Sequence, residues 1–221
     1  MKKIITIQHP QSEQHLNGMI GSWADWDLTA LGAEQAHAIG RALHRDFADE
    51  KFVLYASDLK RTWHTAEIIG EHLHTEPIFS QFLREFDLGE AVGKSKAWAK
   101  QNTRCPLWPH MRDWAATGDG RVFDGAESRE EVWRRVSDFY HQIVLPADSS
   151  LIIVSHDGTL SLFHALWLGL DLSALDHVYI AGKPGGVSVL LEDEVGNHIL
   201  SRLNDTSYAR EQYVSSEVTH A

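Results

Sequence analysis

Three residues far apart in the chain have the types and positions to do chemistry together: His9, Arg61 and His156. His9 follows the run Ile4-Ile5-Thr6-Ile7-Gln8, and Pro10 comes next. β-Branched residues suit a buried strand, and proline has no N–H for a sheet ladder. The strand is expected to stop there and leave His9 on the loop beyond its carboxyl end. Leu151–Ser155 is a second apolar run, and it also ends in a histidine, His156. Ligands of open α/β sheets bind outside the carboxyl ends of the strands. One histidine at a strand end can do no more than cap a carbonyl; two, on parallel strands, converge. Arg61 falls in the first turn of the helix expected after the strand Phe52–Ala56. The positive end of the helix dipole disfavours a cation there unless an anion sits in front of it.

Two imidazoles and a guanidinium suit phosphoryl transfer. A neutral imidazole is a competent nucleophile toward phosphorus near neutral pH. A second imidazole, protonated, and an arginine can hold the phosphoryl oxygens as charge spreads over them. A carboxylic acid nearby can protonate the leaving oxygen. None of these steps requires a metal or another cofactor.

The elements that must position these groups read as alternating strands and helices. Thr29 is a plausible N-cap for a helix over about 30–47, and Ser57 or Asp58 for the next helix. Ser128 with Glu131 forms a capping-box pattern ahead of a strongly apolar helix face. Gly186–Leu191 and His198–Leu203 read as a strand pair across a Gly196-Asn197 turn. The expected fold is a three-layer α/β sandwich, with a mainly parallel sheet covered by helices on both faces. The expected organisation is one domain, 1–214, with an insert at about 94–126 over the site and a flexible tail at 215–221. Trp23 and Trp26, in the long segment after His9, are expected to anchor that loop. Trp98, Trp108 and Trp114 of the insert are expected to be core, or to line an apolar pocket.

A formal charge of −11 argues against nucleic acid or an anionic membrane surface as a general partner. The expected partner is a small phosphorylated substrate, held in a local nest of positive groups. No apolar run reaches the length of a membrane span, and the start is too brief for a signal-peptide apolar region. A single cysteine, Cys105, permits no internal disulfide, so a cytoplasmic location is expected. Fourteen histidines, His72 and His74 among them, include no paired metal-ligand motif, and no metal is expected. Nothing in the sequence fixes the oligomeric state.

Five segments, in order, resemble the histidine phosphatase superfamily, the phosphoglycerate-mutase-like proteins. Gln8-His9-Pro10-Gln11-Ser12 stands where that family has Arg-His-Gly-Glu-Thr. Leu28-Thr29-Ala30-Leu31-Gly32-Ala33-Glu34-Gln35-Ala36 is similar to its Leu-Thr-x-x-Gly-x-x-Gln-Ala. Ser57-Asp58-Leu59-Lys60-Arg61-Thr62, with Thr65-Ala66, closely matches its arginine block. Leu83-Arg84-Glu85 with Gly89-Glu90 matches the proton-donor segment, and Val154-Ser155-His156 the second histidine. The resemblance implies a phosphomonoesterase acting through a phosphohistidine at His9. Arg61 and His156 would bind the phosphoryl group, and Glu85 would serve as proton donor. Asp157 is a rival donor, because one branch uses a His-Asp pair there. A mutase is less expected, since family mutases carry a longer insert between the arginine block and the second histidine.

The first motif departs from the family pattern. Gln8 replaces an arginine, Pro10 replaces a glycine and its N–H, and His15 stands where the family has an asparagine. Gln8 and His15 remain candidate substrate-binding residues. Losing two charge-assisted bonds predicts a rate lower by about ten- to a thousandfold unless another cation compensates. His15, Lys60, Arg84 and Lys183 are the candidates. Losing the neighbouring cation should also raise the pKa of His9, giving an optimum no lower than neutral. The alternative is a catalytically weak or inactive member that binds a phosphorylated ligand or a protein.

Overall fold

The structure, a computed structural model, describes residues 2–105 and 118–210. Trp108, Trp114 and the tail from residue 215 lie outside the described residues. The strands are β1 (Lys2–Gln8), β2 (Phe52–Ala56), β3 (Ile78–Phe79), β4 (Ser150–Ser155), β5 (Val187–Glu192) and β6 (His198–Asp205). The main helices are α1 (Ala30–Asp46), α2 (Lys60–Leu73), α3 (Lys96–Asn102), α4 (Arg129–Phe139) and α5 (Asp157–Trp167). The strands form one sheet in the order β3-β2-β4-β1-β5-β6.

The pairings β3–β2, β2–β4 and β4–β1 are parallel. The other two, β1–β5 and β5–β6, are antiparallel, so the sheet is mixed, with a parallel half that carries the site. Parallel register is what brings the two histidines together. Ile4 lies opposite Leu151 and Gln8 opposite Ser155, so β1 and β4 end level. His9 and His156 are the next residue of each strand, and the His9 N–H still bonds the Ser155 carbonyl at 3.0 Å.

Side-chain alternation along β1 divides the core into two layers. Ile5 and Ile7 join Leu54, Ile152 and Val154 beneath Ile39, Leu43, Ala66 and Ile69 of α1 and α2. Ile4, Leu151 and Ile153 pack on the other face against Val132, Val136 and Phe139 of α4 and Leu160 and Phe163 of α5. The three-layer arrangement follows from these two apolar faces. Among the described residues no helix is long and apolar enough to cross a membrane.

Thr29 caps α1 by accepting from the Gly32 N–H at 3.0 Å, and Ser128 and Glu131 form a reciprocal capping box on α4. The cap of α2 differs from the expectation. Its N-cap is Leu59, without a side-chain cap bond. Asp25, from the loop after β1, accepts from the first N–H of α2, at Lys60 (2.7 Å). Ser57 and Asp58 are used elsewhere: Ser57 Oγ bonds His156 Nε2 at 3.0 Å, and Asp58 takes two bonds from Arg84.

A third buried histidine lies below the site. His164 of α5 bonds Thr6 Oγ1 at 2.8 Å through Nε2, and its Nδ1 is buried without a partner among the described residues. Burial lowers its pKa from 6.5 to about 4. A depressed histidine pKa means the neutral form supports folding fully above the unfolded value, and that support is lost as pH falls toward the folded one. Between pH 7 and 5 this single group should remove about 2 kcal/mol of stability. His164→Leu is therefore expected to flatten the fall of Tm between those pH values in a calorimetric series. An unchanged slope would refute this assignment.

Candidate active site

The loop after β1, the start of α2, the 84–88 segment and the start of α5 enclose a cleft of about 630 Å3. Its floor is His9, 4% exposed, with Arg61 at 1% beside it. Arg61 Nε donates to His9 Nε2 at 3.1 Å. A guanidinium can only donate, so Nε2 is the unprotonated nitrogen and the ring hydrogen is on Nδ1. Nδ1–H then donates to the Pro10 carbonyl at 2.9 Å. The tautomer is thus set from both sides, with the Nε2 lone pair toward Arg61 and the cleft. Pro10 keeps the backbone group that this contact uses, and the N–H it lacks has no part in it.

Arg61 is held on its other edge. Its two terminal nitrogens donate to the carbonyls of Ser22 (2.8 Å) and Ala24 (3.1 Å). Ser22 adopts a left-handed backbone, φ 45°, and is buried. Its hydroxyl donates to Phe86 O and accepts from Leu88 N, which ties the loop after β1 to the segment carrying Glu85. Burial lowers the Arg61 pKa to about 10, so it stays charged at neutral pH.

The His156 ring lies 5.2 Å from the His9 ring, edge to face. Ser57 Oγ accepts from Leu59 N–H at 3.3 Å and also bonds His156 Nε2 at 3.0 Å. The His156 Nδ1 is buried and has no partner among the described residues. A buried polar nitrogen of this kind calls for a partner.

Both histidines are held neutral. Burial, and then the Arg61 charge, keeps the pKa of each well below the usual histidine value; His15 adds to this at His9, and His9 at His156. This reverses two expectations. His9 lies well below the usual histidine value whatever stands at position 8, because burial and Arg61 lower it, so an optimum no lower than neutral does not follow. His156 is held as a neutral imidazole, not as a cation.

Glu85 sits at the N-terminus of α5, with its carboxylate facing the N–H groups of Gly158 and Thr159, both at 3.3 Å. It also takes the Phe86 N–H at 3.0 Å. A Cβ at Gly158 would lie 2.7 Å from Glu85 Oε1, so glycine is what leaves room for the carboxyl. Burial raises the Glu85 pKa and outweighs these hydrogen bonds. Arg135 braces the segment by donating to the carbonyls of Phe82, Arg84 and Glu85 while pairing with Glu127.

Asp157 has both oxygens occupied. Oδ2 accepts from the Tyr179 hydroxyl and Oδ1 from Gly182 N–H, each at 2.6 Å. It therefore holds the 179–182 segment against the cleft. Gln8 is buried beside it, with Oε1 unpartnered among the described residues. A Cβ at Gly182 would lie 2.2 Å from Gln8 Oε1 and 2.9 Å from Asp157 Oδ1, so those oxygens are at most 5.1 Å apart. His15 stacks on His9, ring centroids 5.5 Å apart, and accepts from Ser12 N–H.

The histidine phosphatase superfamily (branch 1) model matches residues 4–206. The chain belongs to that superfamily. Phosphoserine phosphatase 1 of Hydrogenobacter thermophilus is 28% identical over 218 residues, covering 98% of each chain. A 2,3-bisphosphoglycerate-dependent phosphoglycerate mutase of Rhizobium rhizogenes is 26% identical over 219 residues, covering 93% of this chain and 98% of its own. The structure of a mycobacterial glucosyl-3-phosphoglycerate phosphatase with inorganic phosphate matches with a TM-score of 0.76 at 21% identity. It covers 96% of this chain and 100% of that one, a likeness of fold.

In this histidine phosphatase fold, Gln8, His9, His15, Arg61, Glu85 and Asp157 all line the cleft, with His156 buried beside His9. Two of the four compensating cations are committed to other partners: Lys60 pairs with Asp27 and Arg84 with Asp58. Lys183 is not among the residues lining the cleft. Lys96, at the start of α3, lines it, and no local pattern in the sequence marks it. Its place follows from backbone lacing, Ile20 N–H to Lys94 O and Lys96 N–H to Gly18 O, which fixes the start of the insert to the loop after His9. Trp23 and Trp26 anchor that loop through Glu85 O and Ile20 O, and Trp98 packs on Phe123 in the core. His72 pairs with His37 at 3.1 Å, and no group of three or more His, Cys, Asp or Glu among the described residues is placed to hold a metal ion.

Proposed function

We propose that this superfamily member is a phosphomonoesterase acting on a small phosphorylated metabolite through a phosphohistidine at His9. The observation that carries the reading is the fixed His9 tautomer, with an unprotonated Nε2 against a buried guanidinium. Nε2 attacks phosphorus as the ester P–O bond breaks, and Glu85 gives its proton to the leaving oxygen. Arg61 and the His156 ring hold the phosphoryl oxygens. Glu85, now a carboxylate, takes a proton from water; the water oxygen bonds to phosphorus, the P–N bond breaks, and phosphate leaves His9. Lys96 supplies the charge that Gln8 does not, beside a neutral His15, and the insert acts as a partial cap through Lys96. The names of the relatives, a phosphoserine phosphatase and a phosphoglycerate mutase, fit phosphoryl chemistry on small molecules. The test is phosphate release from 4-nitrophenyl phosphate by the purified chain in the presence of a chelator. No release above the uncatalysed rate would overturn the reading, and transfer of the phosphoryl group to a second metabolite in preference to water would favour a mutase.

The weak-binder reading rests on Gln8 and on the N–H that Pro10 lacks; the Pro10 carbonyl still orients His9. An arginine at position 8 would lie within reach of Asp157. Gln8→Arg alone is therefore expected to raise kcat/KM only slightly. In an Asp157→Asn background the same change should raise it by about five- to tenfold, as a double-mutant cycle on turnover would show. Equal effects in both backgrounds would mean the two positions are not coupled.

A further inference from the structure

We infer that the preferred substrates are phosphomonoesters of neutral alcohols that carry a bulky apolar group, rather than of carboxylated or cationic alcohols. This rests on the hydrolytic reading of the same cleft. If His9 and Arg61 take the phosphoryl group and Glu85 meets the leaving oxygen, the leaving group must occupy the remainder of the cleft. That remainder is walled by Met19, Ile20, Phe86, Leu88, Tyr179 and Pro184.

Of the polar groups on this side, the Asp157 carboxylate is already engaged and Gln8 is neutral. Asp157 has given both oxygens to Tyr179 and Gly182. The Tyr179 hydroxyl donates to that carboxylate, so the aromatic face is the part left for a ligand. Lys96 is exposed at the rim, where its charge acts on His15. His15 stacks on His9, which places this cation on the phosphoryl side. A carboxylate on the leaving group would meet Glu85 and Asp157 without a cation of its own. An ammonium would give up its hydration for Asp157 oxygens already shared with Tyr179 and Gly182 and the neutral Gln8 Oε1. An apolar group needs no such exchange, and each methylene it buries should improve binding about fourfold.

The experiment compares kcat/KM for ethyl, butyl, hexyl and benzyl phosphate, whose leaving alcohols need similar protonation. The comparison set is 3-phosphoglycerate, phosphoserine and phosphoethanolamine. A rise of about ten- to a hundredfold from ethyl to hexyl phosphate, mainly through KM, is expected, with the charged substrates below benzyl phosphate. Leu88→Asn and Met19→Gln should flatten the chain-length dependence. A flat series, or a charged substrate above benzyl phosphate, overturns the inference while 4-nitrophenyl phosphate turnover leaves the hydrolytic reading standing. No turnover of any ester, 4-nitrophenyl phosphate included, overturns both.

Discussion

Replacing His9 with alanine is expected to reduce kcat by at least about 10^3-fold on every phosphomonoester. The expectation follows from the ring having no substitute. His15 stacks on it, yet the His15 Nδ1 accepts from Ser12 N–H at 3.0 Å. His156 is buried with Nε2 tied to Ser57. Neither is set by its hydrogen bonds as His9 is, with one nitrogen held by a carbonyl and the other open to an arginine. The variant should still bind inorganic phosphate, because Arg61 and His156 remain. Phosphate binding by calorimetry alongside turnover separates lost chemistry from lost folding. A variant that retains a tenth of wild-type kcat would exclude His9 as nucleophile.

Glu85→Gln is expected to cost about 10^2- to 10^4-fold on alkyl phosphates and far less on 4-nitrophenyl phosphate. An alkoxide needs a proton to leave, and a nitrophenolate does not. Burial raises the Glu85 pKa, which favours the protonated acid that the first step requires. His9, with its pKa lowered, remains an unprotonated nucleophile below the usual histidine range. The two directions together place the optimum on the acidic side of neutrality. Activity should decline as pH rises through the Glu85 pKa, and that limb should vanish in Glu85→Gln. Equal losses on both substrates would show that Glu85 is not the donor. The same leaving-group dependence in Asp157→Asn would move the role there, although both Asp157 oxygens are already occupied.

The parts legible in the sequence are those set by local pattern. Two apolar runs ending in histidine were enough to place His9 and His156 at strand ends, and capping patterns marked α1 and α4. What was hidden depends on contacts between distant segments. The antiparallel addition of β5 to β1 leaves no trace in either strand's own residues, because both are simply apolar. Asp25 caps α2 across 35 residues, which freed Ser57 for His156 and Asp58 for Arg84. Lys96 enters the cleft only because α3 is laced to the loop after His9. The position of His9 below the usual histidine value was hidden for the same reason. Counting charges at position 8 omits burial, and burial is the larger effect.

The most direct measurement is rapid-quench trapping of the enzyme during turnover of a phosphomonoester, with intact mass and peptide fragmentation under alkaline conditions that preserve a phosphoramidate. One phosphoryl group on His9, absent from His9→Ala, is the expected result. A modification at another residue, or hydrolysis by a burst-free route with no phosphoenzyme at any time, would contradict it.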